Sequence, residues 1–166
     1  MHDNVAVKRL VISLFAVIAL GASASAAGPA QKAFDRLKSL VGTWQSGAGA
    51  KVEYKLTGAD SALVETQLPG TKMEMVSVYH LDGKDLVMTH YCAVHNQPTM
   101  KLKPGSDPNT LNFDFVSGSN MKSTDMHMHS VRIHFLDADH VVSEWTPFIN
   151  GKKGQSAKFD MHRVKA

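Results

Sequence analysis

A single cysteine, Cys92, stands in a chain of 166 residues, so no intrachain disulfide can form and the fold must be held by packing. Charge of one sign is also scarce. The 18 Lys and Arg residues face 15 Asp and Glu, a net +3 scattered along the chain. That is too weak and too dispersed to point to nucleic acid, and no nucleic-acid partner is expected. Long apolar runs are missing except for Leu10–Leu20, which is shorter than the roughly 20 residues a spanning helix needs. No helix carries a tight metal motif such as His-x-x-x-His.

The one apolar run has a different context. Lys8 and Arg9 precede it, and the small residues Ala24-Ser25-Ala26 follow it. Basic, apolar, then small is the order of a secretory signal peptide. Residues 1–26 are expected to be that peptide, cleaved near Ala26 or Ala27, and 27–166 one domain with no stable membrane span. A secreted or periplasmic location follows. Removing Lys8, Arg9 and Asp3 leaves 16 basic and 14 acidic residues, or +2. A lone thiol in an oxidising compartment is safest when buried.

The stretch "GPAQKAFDRLKSLVGTW" reads as a short helix, with Phe34, Leu37, Leu40 and Val41 on one face, Pro29 at its start and Gly42 past its end. The period then changes to two. Strands are expected near 43–48, 50–57, 61–68, 73–81, 85–93, 97–103, 110–117, 126–136, 140–149 and 156–164. Asp82-Gly83 and Asn150-Gly151 are short-hairpin signals, because these residues tolerate positive φ. About ten short strands after one helix predict an all-β chain, an up-and-down antiparallel β-barrel with a short N-terminal helix. A sandwich is the alternative.

"LKSLVGTW" at Leu37–Trp44 and the closing "FDMHRVKA" resemble the calycin superfamily of lipocalin-like and fatty-acid-binding-protein-like barrels. The segments from Gly42-Thr43-Trp44 through "MEMVSVYHLDGKDLVMTHYCAVHNQPTM" to "FDF" are similar to a functionally uncharacterised family of small secreted bacterial lipocalin-like proteins. The resemblance implies that Arg163 packs across Trp44 at the closed end of the barrel, where a guanidinium over an indole gains about 1 kcal/mol. This role is structural. It also implies a cavity for a small ligand, without naming one.

Strand alternation proposes the lining. Around Asp82-Gly83, Met73, Met75, Ser77 and Tyr79 share a face with Leu86, Met88, His90 and Cys92, and this face is taken as inward. Glu65 cannot be placed in or out. Around Asp137-Ala138-Asp139, His127, His129, Val131, Ile133 and Phe135 are grouped with Val142, Glu144, Thr146 and Phe148 as inward. Ser143, Trp145 and Pro147 then fall outside. On this reading His90, His129 and Glu144 converge in the interior. Buried polar groups need partners, since each one left unpaired costs about 1–3 kcal/mol.

The leading expectation is a non-catalytic protein that encloses a small apolar or amphipathic molecule. His90, His129 and Glu144 would be the polar contacts, Tyr79, Met75 and Met88 the wall, and Asn96 and Gln97 the mouth. Methionines make an adaptable lining. The alternative is a transition metal on His90, His129, Glu144 and Cys92, donor types suited to zinc or copper. Haem is a third candidate. The nitrobindins, distant calycin relatives, bind it through a histidine near the C-terminus. Here, however, His162 alternates away from Met161 and Arg163. A Cys92–His90 nucleophile lacks any visible oxyanion partner, so no catalytic residue is assigned. His95 and His140 are expected in exposed turns.

Overall fold

The computed structural model describes residues 27–165. The expected signal peptide and the Ala26 side of its cleavage point lie outside the described residues. Helix α1, Pro29–Lys38, starts with Pro at its first turn and buries Ala30, Ala33, Phe34 and Leu37. Pro suits this position because its missing N–H would be unpaired there anyway. Arg36 and Lys38 occupy the last turn, where cations favour the helix dipole.

Eleven strands follow: β1 Gly42–Ser46, β2 Lys51–Thr57, β3 Ala62–Gln67, β4 Met75–Asp82, β5 Asp85–Tyr91, β6 Gln97–Leu102, β7 Thr110–Ser119, β8 His127–Phe135, β9 His140–Ile149, β10 Lys152–Lys153 and β11 Ala157–Arg163. Neighbours in sequence pair antiparallel from β1 to β9, then β9 pairs with β11 and β11 with β1. The result is a closed ten-stranded up-and-down barrel, with the two-residue β10 hung on the end of β9. Closure removes the free edges that would otherwise pair with other chains. The sandwich alternative is thereby discarded. Among the described residues, no helix is long and apolar enough to cross a membrane.

Turn chemistry sets much of the register. Ile149 pairs with Lys152 around Asn150 (φ 52°) and Gly151 (φ 72°), both in the left-handed region that such a tight loop requires. In the β4–β5 hairpin Asp82 pairs with Asp85, so the two loop residues are Gly83 and Lys84 rather than Asp82-Gly83.

Helix α1 lies at one end of the barrel, beside the β4–β5 and β6–β7 turns. There Trp44 is fully buried and its indole N–H donates to Leu40 O at 2.7 Å. The Arg163 guanidinium sits 4.3 Å above the indole ring, as the sequence resemblance implied. It also donates to Val41 O at 2.8 Å and Ser39 O at 2.7 Å, tying the last strand to the helix exit. Gly42 has φ +124°, and a Cβ there would meet Arg163 Nη1 at 3.3 Å, so the Gly-x-Trp glycine leaves room for the guanidinium.

The inward face expected for β4 and β5 is the one observed: Ser77, Tyr79, Leu86, Met88, His90 and Cys92 are all buried. Met73 is the exception. It precedes β4 and is exposed.

The β8–β9 hairpin corrects the sequence reading. Phe135 pairs with Val141, Ile133 with Ser143 and Val131 with Trp145. Val141, Ser143 and Trp145 therefore face the core, and Val142 and Glu144 face out, with Glu144 opposite the exposed Arg132. The expected set was off by one residue, which turns every side chain of a strand to the other face. A bulge also falls here. Met128 pairs with Pro147 and Ser130 with Thr146, leaving His129 without a partner. Pro147 turns its carbonyl away from β8, where it accepts from Gly154 N–H at 2.8 Å, so its missing N–H falls on that side rather than in the β8 ladder.

Candidate functional site

Four strands contribute one polar row to the barrel interior. Tyr54 on β2 pairs with Glu65 on β3, Glu65 with Ser77 on β4, and Ser77 with His90 on β5. Side chains at successive cross-strand partners stand side by side on one face. Gln67 and Tyr79 join the row diagonally. All six residues are buried. The row lies in the half of the barrel away from α1.

Glu65 is its centre. Oε2 accepts from Tyr79 O–H at 2.6 Å, and Oε1 accepts from Gln67 at 2.9 Å and Tyr54 O–H at 3.3 Å. Burial pushes the Glu65 carboxyl above its ordinary range, and the hydrogen bonds from Tyr79, Gln67, Tyr54 and Ser77 pull it back. Burial first, then the neighbouring carboxyl, lifts both tyrosines well above the usual phenol value. They stay protonated and serve as donors.

His90 closes the row. Its Nδ1 lies 3.0 Å from Ser77 Oγ, and its ring packs against Trp145 on the facing wall with centroids 4.7 Å apart. Burial lowers its pKa to about 4, so the imidazole is neutral at physiological pH. A neutral ring offers one donor and one acceptor nitrogen. Nε2 takes whichever role the Ser77 contact leaves. It has no protein partner, and neither has the buried Trp145 Nε1 beside it. Asn96 Oδ1 is unpartnered as well, although its amide donates to Met126 O at 2.8 Å. The fourth such atom, Arg36 Nε, belongs to the helix end, where the guanidinium covers Phe135.

The remaining sequence candidates scatter. His129 is half-exposed near the end of the barrel opposite α1. Its ring is stacked 3.6 Å from Phe148, and its Nδ1 lies 3.0 Å from His127 Nε2. Burial and then His127 lower its pKa. Glu144 borders two grooves on the outer face, of about 310 and 280 Å3. Gln97 Oε1 accepts from Ser119 at 3.0 Å and Asn120 at 2.7 Å, holding the loops at this end together. Met75 is half-buried, Met88 is fully buried, and Cys92 is a buried free thiol. His90, His129 and Glu144 do not converge as expected, because the β9 register turns Glu144 out and the bulge displaces His129. The donor set His90, His129, Glu144 and Cys92 is not brought together either. Among the described residues, the group of three such donors close enough to share an ion is His140, Asp160 and His162, on the outer surface.

Tyr54, Glu65, Gln67 and Trp145 are the interior residues that sequence reasoning missed. Trp145 carried a usable signal. Leaving an indole in water costs more than leaving a carboxylate there, so the register that buries Trp145 and exposes Glu144 is the favoured one.

The described cavities lie on the outer face of the wall and at the α1 end of the barrel. Besides the two outer grooves, one of about 470 Å3 sits between α1 and the β4–β5 and β6–β7 turns, walled by Ala30, Ala33, Leu86, Leu102 and Leu111.

A scan against protein-family models matches none, and a search of curated proteins finds no significant relative.

Proposed function

We propose that the chain is a non-catalytic binding protein whose barrel takes a small apolar or amphipathic molecule, polar end inward. The observation that carries this is the pair of buried, unpartnered atoms, His90 Nε2 and Trp145 Nε1, on rings whose centroids lie 4.7 Å apart. Each would cost about 1–3 kcal/mol if nothing satisfied it. Indole nitrogen only donates, so the guest supplies an acceptor to Trp145, as a hydroxyl, carbonyl or carboxyl oxygen does. The Glu65 row holds His90 through Ser77 and keeps its orientation fixed.

A guest would enter at the end away from α1 by displacing side chains there. Met75 and Met88 are suited to that, because an unbranched thioether repacks at low cost. The likeness of "LKSLVGTW" and "FDMHRVKA" to calycin barrels supports the same reading. The basic, apolar and small residues of 8–26 support export to the periplasm or beyond.

The two tryptophans give the test an internal control. Indole N–H resonances are followed while the protein is titrated with a medium-chain alcohol, a medium-chain fatty acid and a phenol. The Trp145 signal should move saturably with at least one probe, while Trp44, bonded to Leu40, stays still. His90→Phe should abolish the shift. A Trp145 signal unmoved by all three, with a slowly exchanging water detected beside it, would make the row a hydrated structural core and overturn the reading.

A further inference from the structure

A second constellation lies outside the barrel, on the opposite side of the wall from the polar row. His140 begins β9 and pairs directly with His162 on β11. Asp160, two residues before His162, shares its face. The imidazoles stack with centroids 4.1 Å apart, His140 Nε2 lies 2.7 Å from Asp160 Oδ1, and His162 Nε2 lies 3.8 Å from the same oxygen. One donor atom from each residue falls within 4.8 Å of the other two.

We propose that His140, Asp160 and His162 form a surface site for a divalent transition-metal ion such as Zn2+, Ni2+ or Cu2+. Two imidazoles and one carboxylate are the ligand types these ions prefer over Mg2+ or Ca2+. Ligand atoms about 2.1 Å from a tetrahedral ion stand about 3.4 Å apart. The 2.7 and 3.8 Å separations bracket that value, so side-chain adjustments of less than about 1 Å admit the ion. The β9–β11 pairing holds the backbone of all three ligands, so little ordering is needed on binding. Three protein ligands leave at least one coordination position open. Asp160 is also one wall of the 310 Å3 groove that carries Arg132, Glu144 and Lys158, so the open side adjoins a polar surface of mixed charge. Lys158 Nζ, 3.9 Å from Asp160 Oδ2, is exposed and free to swing aside when a cation arrives.

The site is independent of the barrel interior, and its test does not touch His90. Tag-free protein is titrated with Zn2+ and Ni2+ by calorimetry, and with substoichiometric Cu2+ while amide signals are recorded. Binding should saturate near one equivalent, with paramagnetic broadening centred on His140, Asp160 and His162. His162→Ala, an exposed change that leaves the barrel intact, should weaken binding by more than about tenfold. His140→Ala should do the same, with the folded state checked by circular dichroism. Broadening centred instead on His127 and His129, or affinity unchanged in both variants, would overturn the proposal.

Discussion

The two tryptophans are almost equally buried, Trp44 at 1% and Trp145 at 2% exposure, yet their surroundings differ in kind. Trp44 is saturated: its N–H has a carbonyl, its ring has a guanidinium, and the helix closes over that end. Trp145 has an unpaired N–H and lies against a neutral histidine whose outer nitrogen is also unpaired. One end of the barrel is finished as a folded structure. The other carries polar groups that stability alone does not explain, because replacing them by apolar side chains would remove their desolvation cost. That asymmetry is the ground for the proposed division of labour, with Trp44 in the fold and Trp145 in the binding site.

The comparison can be broken at either end. Trp44→Ala should have the largest effect, a loss of about 3–5 kcal/mol on chemical denaturation, from the cavity and the stranded Arg163. If Trp44→Ala cost less than about 1 kcal/mol, the closed end would not be the anchor described.

His90 should make stability depend on pH. Its folded pKa of about 4 is below the ordinary 6.5, so the unfolded chain binds the extra proton first. Stability is fully present above pH 6.5 and falls as pH drops towards 4, by up to about 3 kcal/mol. Glu65 works in the opposite sense. Its raised pKa favours the folded state at low pH, and that contribution is lost as pH rises through the folded value. Denaturation of the parent and of His90→Phe at pH 7 and pH 5 cancels the Glu65 contribution. The variant should lose less stability on acidification. Parallel losses in both proteins would mean His90 reaches solvent.

The smallest effect should come from Trp145→Phe. Removing an unpaired buried N–H offsets the smaller ring, leaving the melting midpoint near that of the parent and stability within about 1 kcal/mol. Probe binding should nevertheless be lost. A large destabilisation would show that Trp145, like Trp44, is chiefly a packing residue.

Much of this was readable from the chain, and the failures are physically specific. The faces of the β4–β5 hairpin were read correctly because moving the loop from Asp82-Gly83 to Gly83-Lys84 shifts the pairing by two residues and keeps its parity, and Tyr79, Met88 and His90 followed. The β8–β9 hairpin failed because its longer loop, Leu136–Asp139, leaves the parity open, and the faces of β9 were exchanged. Glu65 was undecidable because Leu63, Glu65 and Gln67 alternate with Val64 and Thr66, and neither set is cleanly apolar. His140 was expected in an exposed turn. Its partner Asp160 lies 20 residues away along the chain, beyond the reach of any local pattern.

Period-two hydrophobicity, punctuated by glycine, proline and asparagine turns, was enough to specify an antiparallel all-β chain behind one helix. These are local preferences, and neighbouring residues express them without help. Which polar groups meet was decided by strand register and by closure of the sheet. Closure joins β11 to β1 and sets β5 against β9, bringing Trp145 to His90 inside, while the β9–β11 pairing brings His140 to His162 outside. Those encounters depend on register and barrel geometry, which no segment carries alone.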